Sequence, residues 1–178
     1  MSTMSLAGFL ARRRVSLGFV FAVGVLYFSR PTWTSLAAGT AIGAAGEAIR
    51  VWAAGHLEKG REVTTSGPYR FTRHPLYLGS SIMGLGVGVA SRSLVVFLLM
   101  ILYMGTTIAA AIRTEEAFLR QQFGDAYDAY AASRGPLGAR RFSVARAWRN
   151  KEYRAIAGFA VLVLLLVARM WLGSTGVI

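Results

Sequence analysis

Apolar and polar residues alternate along this chain in long blocks, not residue by residue. Apolar stretches occupy residues 15–28, 32–55, 75–90, 94–112 and 156–172. Polar stretches punctuated by Gly and Pro separate them. Blocks of this length with few charges are the pattern of helices that cross a bilayer. The chain therefore predicts an all-α polytopic membrane protein, one domain over residues 1–178, with about five transmembrane helices. The first block is short and follows Arg12-Arg13-Arg14, the outline of a signal peptide. No small-residue cleavage site follows it, since Ser29-Arg30-Pro31 comes next, so it is read as a retained span.

Details within the blocks refine this picture. The second carries Gly39, Gly43 and Gly46, and the third carries Gly84, Gly86 and Gly88. The latter is no dinucleotide fingerprint, because no strand precedes it. Close helix contact in lipid is the better reading of both sets. Glu47 and Arg50 are three residues apart, hence on one helix face, and ionisable groups in a span face the bundle interior or water. Beyond residue 112, Leu119, Phe123, Tyr127 and Tyr130 recur at helical spacing and predict an amphipathic extension at the membrane surface. Gly135-Pro136 ends it. Residues 140–154 form a basic loop with Trp148 as an interface anchor.

Composition then adds one constraint and charge another. Apolar residues make up 54% of the chain and charged ones 16%, which fits the membrane class. A net charge of +12 would suggest nucleic acid for a soluble protein. Here sixteen of the 20 Lys and Arg fall before the first span, between the second and third, or between the fourth and fifth. That asymmetry orients the chain, with the N-terminus and those loops in the cytoplasm and the C-terminus outside. It implies membrane lipids and no nucleic acid as partners, and the inner (cell) membrane if the source is bacterial. There is no cysteine, which removes disulfides, thiolate nucleophiles and thiolate metal sites.

The residues rich in chemistry gather in residues 67–79. Gly67-Pro68 is a turn signal, and Pro75 can occupy the first turn of a helix, because it needs no N–H donor there. His74 then sits at a helix start, where free backbone N–H groups favour an anion. Under the five-span topology this stretch and Glu115-Glu116 lie on one membrane surface, separated by one helical hairpin. A cytoplasmic-side pocket for a cofactor could form there. Metal hydrolysis fits poorly: no HExxH occurs, and adjacent glutamates on a helix point in different directions. Ser66 lacks a nucleophile elbow. A helix-capping His74 with glutamates that neutralise arginines remains open. So does a membrane scaffold or small transporter that uses Glu47 and Arg50.

Two ordered motifs carry a resemblance. Gly67-Pro68-Tyr69 with Arg73-His74-Pro75-x-Tyr77-x-Gly79 comes first. Glu115-Glu116-x-x-Leu119-x-x-x-Phe123-Gly124-x-x-Tyr127-x-x-Tyr130 follows. Together they resemble the isoprenylcysteine carboxyl methyltransferase family, integral-membrane enzymes that use S-adenosylmethionine. The likeness covers residues 50–136. It implies cofactor contacts at Val63, Thr64, Tyr69, His74, Pro75, Leu76, Tyr77, Glu115 and Glu116, and a lipophilic or lipidated acceptor. It implies no catalytic base and no metal, since a carboxylate acceptor is ionised at neutral pH. Where the family's eukaryotic members have a substrate-associated arginine, this chain has Ala111. Arg113 is the nearest guanidinium, expected as a substrate contact. Methylation of a phospholipid amine is the alternative.

Overall fold

The computed structural model describes residues 21–174. They are helical, with no strand among them. A helix over residues 21–28 (α1) leads into α2 (Trp33–Ala54), a single 3-10 turn at Gly67–Arg70, α3 (Pro75–Ser91) and α4 (Leu94–Phe123). Three more helices follow: α5 (Asp125–Ala131), α6 (Val144–Arg149) and α7 (Tyr153–Ser174). The expected spans two to five each overlap one of these helices, the fourth and fifth lying within the longer α4 and α7. Residues 15–20 of the expected first span lie outside the described residues.

The ends are set locally. Thr32 caps α2: its hydroxyl accepts from Ser35 N–H at 3.3 Å, while its own N–H donates to Ser35 Oγ at 2.9 Å. Pro75 opens α3 and Arg92 closes it with φ 49°. Ser93 starts α4 by accepting from Val96 N–H. That helix runs without interruption through the membrane block and on to Phe123. The amphipathic extension is not one helix to Tyr130, as the spacing predicted. Gly124, at φ 50°, turns the chain between α4 and α5.

The tightest helix pair is α2 with α3. A Cβ placed on Gly86 would stand 2.5 Å from Gly43 N and 2.6 Å from Gly39 O. A Cβ on Gly46 would stand 2.6 Å from Gly79 O. The two backbones touch, so the small residues serve close packing as expected. Outside this seam, Val25, Val87 and Val96 form one small core, with Phe159 and Leu162 against it. Leu36, Ala90 and Leu166 form a second.

Helices α4 and α7 are long and apolar enough to cross a membrane. Leu98, Leu102, Val161 and Leu164 project outward and are at least half exposed, the arrangement of a lipid-facing surface. α3 is apolar but only 17 residues long, and α2, at 22 residues, is less apolar. Two of the described helices are thus membrane-spanning by length and composition, against the five spans expected for the chain.

The basic loop does more than face lipid. It folds over the C-terminal end of α2 and satisfies its free carbonyls. Asn150 Nδ2 donates to Ala54 O at 2.8 Å and Leu57 O at 2.9 Å, and Arg146 Nη1 donates to Gly55 O at 2.6 Å. Glu58 holds the strap electrostatically, 2.7 Å from Arg146 and 3.1 Å from Arg149. These hydrogen-bonded guanidinium contacts hold the Glu58 carboxyl below its ordinary pKa, that of Arg146 most of all.

Candidate functional site

His74 stands at the start of α3, but its imidazole does not cap the helix. Nε2 instead meets Glu116 Oε1 at 2.9 Å, on the far side of the α3–α4 hairpin. Arg73 approaches the same carboxylate at 3.2 Å and Arg120 at 3.4 Å. The capping role left open for His74 is thereby replaced by a cross-link. Three cationic or ionisable groups converge on Glu116 and brace the motif loop against α4.

Glu115, one residue earlier, points elsewhere, as helical geometry requires. Its carboxylate faces the Tyr77 hydroxyl, and its charge also acts on Tyr69. The adjacent glutamates are therefore unequal. Glu116 is saturated by guanidinium and imidazole partners, whereas no ion pair holds Glu115 among the described residues. Tyr69 is buried, and burial pushes its phenol well above the ordinary value, so it stays protonated. Tyr130 donates its hydroxyl to Tyr69 O at 2.7 Å, and burial pushes its phenol up to about 12. This contact joins the two sequence motifs directly.

The remaining expected residues fall less neatly. Pro75 is buried, and Leu76 O accepts from Ser80 Oγ at 2.9 Å and from Arg50 Nη1 at 3.4 Å. Thr64 is buried and its hydroxyl accepts from Glu58 N–H at 3.2 Å, with Val63 half-buried beside it. These contacts tie the 63–64 segment to the α2 end and not to His74 or Glu115. Arg113 is exposed.

Near the motifs Ser66 Oγ is buried without a hydrogen-bond partner, and Tyr127 Oη is buried with the Arg73 guanidinium beside it. Tyr127 lies beside the Glu116–Arg73–Arg120 cluster. An orphaned buried hydroxyl costs about 1–3 kcal/mol, so a polar ligand that reached it would be held. With the carboxylate of Glu115 and the free N–H groups of the first turn of α3, the residues present suit a zwitterion that carries ammonium, carboxylate and hydroxyl groups. The burial of the Ser66 and Tyr127 hydroxyls was not foreseen from the sequence. Sequence reasoning also missed Glu152, which holds Arg50 Nε at 2.7 Å, while Glu47 stands 3.8 Å away. The sequence hint was that Glu152 is the single carboxylate between Asp128 and the last span.

Two helices long and apolar enough to cross a membrane, with a polar and aromatic cluster at one end, suit a membrane protein, and the comparisons give its class. The phospholipid methyltransferase family matches residues 19–126, more than half of the chain, and the chain belongs to that family. The resemblance read from the two motifs is met by the protein-S-isoprenylcysteine O-methyltransferase of Schizosaccharomyces pombe, 35% identical over 86 residues. That match covers 48% of this chain and 36% of the yeast protein. The cobalt-zinc-cadmium resistance protein CzcN of Cupriavidus metallidurans is 33% identical over 132 residues, 67% of this chain and 61% of that protein. The nickel-cobalt-cadmium resistance protein NccN of Alcaligenes xylosoxydans xylosoxydans is 32% identical over 106 residues, 56% of this chain and 49% of that protein. The chain thus spans less than two thirds of the length of each of these curated relatives. No solved structure matches it.

Proposed function

We propose that this protein transfers a methyl group from S-adenosylmethionine to a lipophilic, membrane-borne acceptor, as a carboxyl methyltransferase of isoprenylcysteine-like substrates. The observation that carries the lipophilic acceptor is an open apolar pocket of about 380 Å³ between the helices. Met83, Val87, Met100, Met104 and Phe159 make it apolar, and Arg50 with Ser80 forms its polar corner. Arg50 Nη1 bonds Ser80 Oγ and Leu76 O, the backbone of the motif itself. An apolar chain in this cavity would therefore lie directly behind the residues assigned to the cofactor.

S-adenosylmethionine, when bound, supplies a methyl group on a positively charged sulfur. Glu115 would hold its ammonium or ribose diol, and the first-turn N–H groups of α3 its carboxylate. His74 positions the loop through Glu116 and takes no proton. Tyr69, neutral because it is buried, walls the site. With an ionised acceptor the chain needs no base, and alignment with exclusion of water accounts for most of the acceleration. The family match also supports a second reading, N-methylation of a phospholipid head group, in which a proton must leave the amine.

The test is to incubate purified protein with methyl-labelled S-adenosylmethionine. The acceptors are a lipophilic thioether carboxylate, phosphatidylethanolamine or a fatty acid. Base-labile, volatile label from the thioether acid supports the proposal. Stable label in phosphatidylethanolamine alone replaces it with the second reading.

A further inference from the structure

At the end of the bundle opposite His74 and Glu116, three arginines share one cleft. Arg30 precedes α2, Arg92 ends α3 and Arg169 lies in the last turns of α7. All three line a cleft of about 1280 Å³. Their backbones are fixed: Arg30 N–H donates to Ser91 O at 2.8 Å, next to Arg92 in its left-handed conformation. None of the three forms an ion pair with a described residue.

Acidic side chains are absent from this end by sequence as well. The 8 Asp and Glu are Glu47, Glu58, Glu62, Glu115, Glu116, Asp125, Asp128 and Glu152. Glu47 is nearest along α2, about 21 Å from Trp33 at 1.5 Å per residue. The three arginines therefore share the cleft with no acidic side chain to offset them. Guanidinium forks suit phosphate, and a membrane protein meets phosphate at the head-group level. Trp33 and Trp171 flank the arginines, 64% and 60% exposed, and mark that level as an interfacial aromatic belt.

We propose that this cleft binds the phosphate of an anionic phospholipid in the leaflet opposite the methyl-transfer site. It is a second lipid site, distinct from the acceptor cavity and independent of the reaction assigned above. The other two of the 4 tryptophans, Trp52 and Trp148, lie toward the motif end. In a Trp52→Phe/Trp148→Phe chain the remaining fluorescence reports on the cleft. The full chain is reconstituted with brominated phosphatidylglycerol or brominated phosphatidylcholine as quencher.

Phosphatidylglycerol is expected to quench at about tenfold lower mole fraction, given the attraction of several cations. The preference should vanish in Arg30→Gln/Arg92→Gln/Arg169→Gln. It should also collapse in the unsubstituted arginine background when salt is raised to about 1 M, where screening is strong. The salt measurement stands even if the triple variant does not fold. Equal quenching by the two lipids, or a preference that survives both salt and substitution, would overturn the proposal. Competition by millimolar inorganic phosphate that removes the preference would also overturn it, because the site would then be one for soluble anions.

Discussion

In the proposed reaction the two adjacent glutamates separate binding from bracing, and substitutions can tell them apart. Glu115→Gln removes a charge-assisted contact and should weaken S-adenosylmethionine binding by about 1.5–3 kcal/mol, read by calorimetry on solubilised protein whose folding is checked separately. Unchanged affinity would make Glu115 structural. His74→Asn shortens the reach to Glu116 and loosens the loop. It should raise the apparent KM for S-adenosylmethionine and leave kcat within about tenfold, because no proton transfer is lost. A large kcat loss, together with the disappearance of a near-neutral ionisation from the pH profile, would make His74 a base and favour an amine acceptor. The motifs put His74 and both glutamates on one surface in advance. Which carboxylate met the imidazole was not legible, because it depends on the rotation of α4 about its axis. The Arg50–Glu152 pair was hidden for a different reason: its members are 102 residues apart and no local spacing links them.

At the level of elements, the α2–α3 seam and the strap over α2 are the features most exposed to test. Gly86→Ala drives a methyl group into the α2 backbone and should cost about 1–3 kcal/mol, seen as a lower melting temperature in detergent. Gly105, on α4, has nothing within 4 Å of its Cβ position, so Gly105→Ala should be neutral or slightly stabilising. Equal effects at the two positions would contradict the seam. The strap carries a pH signature. The folded-state pKa of Glu58 is depressed, so its contribution is present above the unfolded value of about 4.3 and is lost as pH falls through the folded value. The difference in melting temperature between the unsubstituted chain and Glu58→Gln should be largest near neutrality and vanish in acid. A difference that grew in acid would refute this. Helix positions were legible, since apolar block length and the Gly and Pro punctuation fix them. The break at Gly124 was masked because the aromatic spacing continues across it. The contacts of the strap with the end of α2 were not legible, since composition cannot show which carbonyls an arginine will reach.

For the molecule as a whole, the charge asymmetry predicts that the motif end faces the cytoplasm. A reporter fused after Ile178 should be active on the outer side, and a cytoplasmic signal would remove one span from the proposed five. The touching backbones of α2 and α3 also partition the chain for protein engineering. Libraries aimed at new acceptors should leave Gly39, Gly43, Gly46, Gly79 and Gly86 unchanged and place their first diversity at Met104 on α4, which lines the pocket and belongs to neither core. Met100, Phe159 and Leu162 line the same pocket but also pack against the Val25, Val87 and Val96 core, and Phe159 lies on Gly43 of the seam. Substitutions at those three positions would therefore shift foldability together with the shape of the pocket, whereas Met104 can be varied without first repairing the fold.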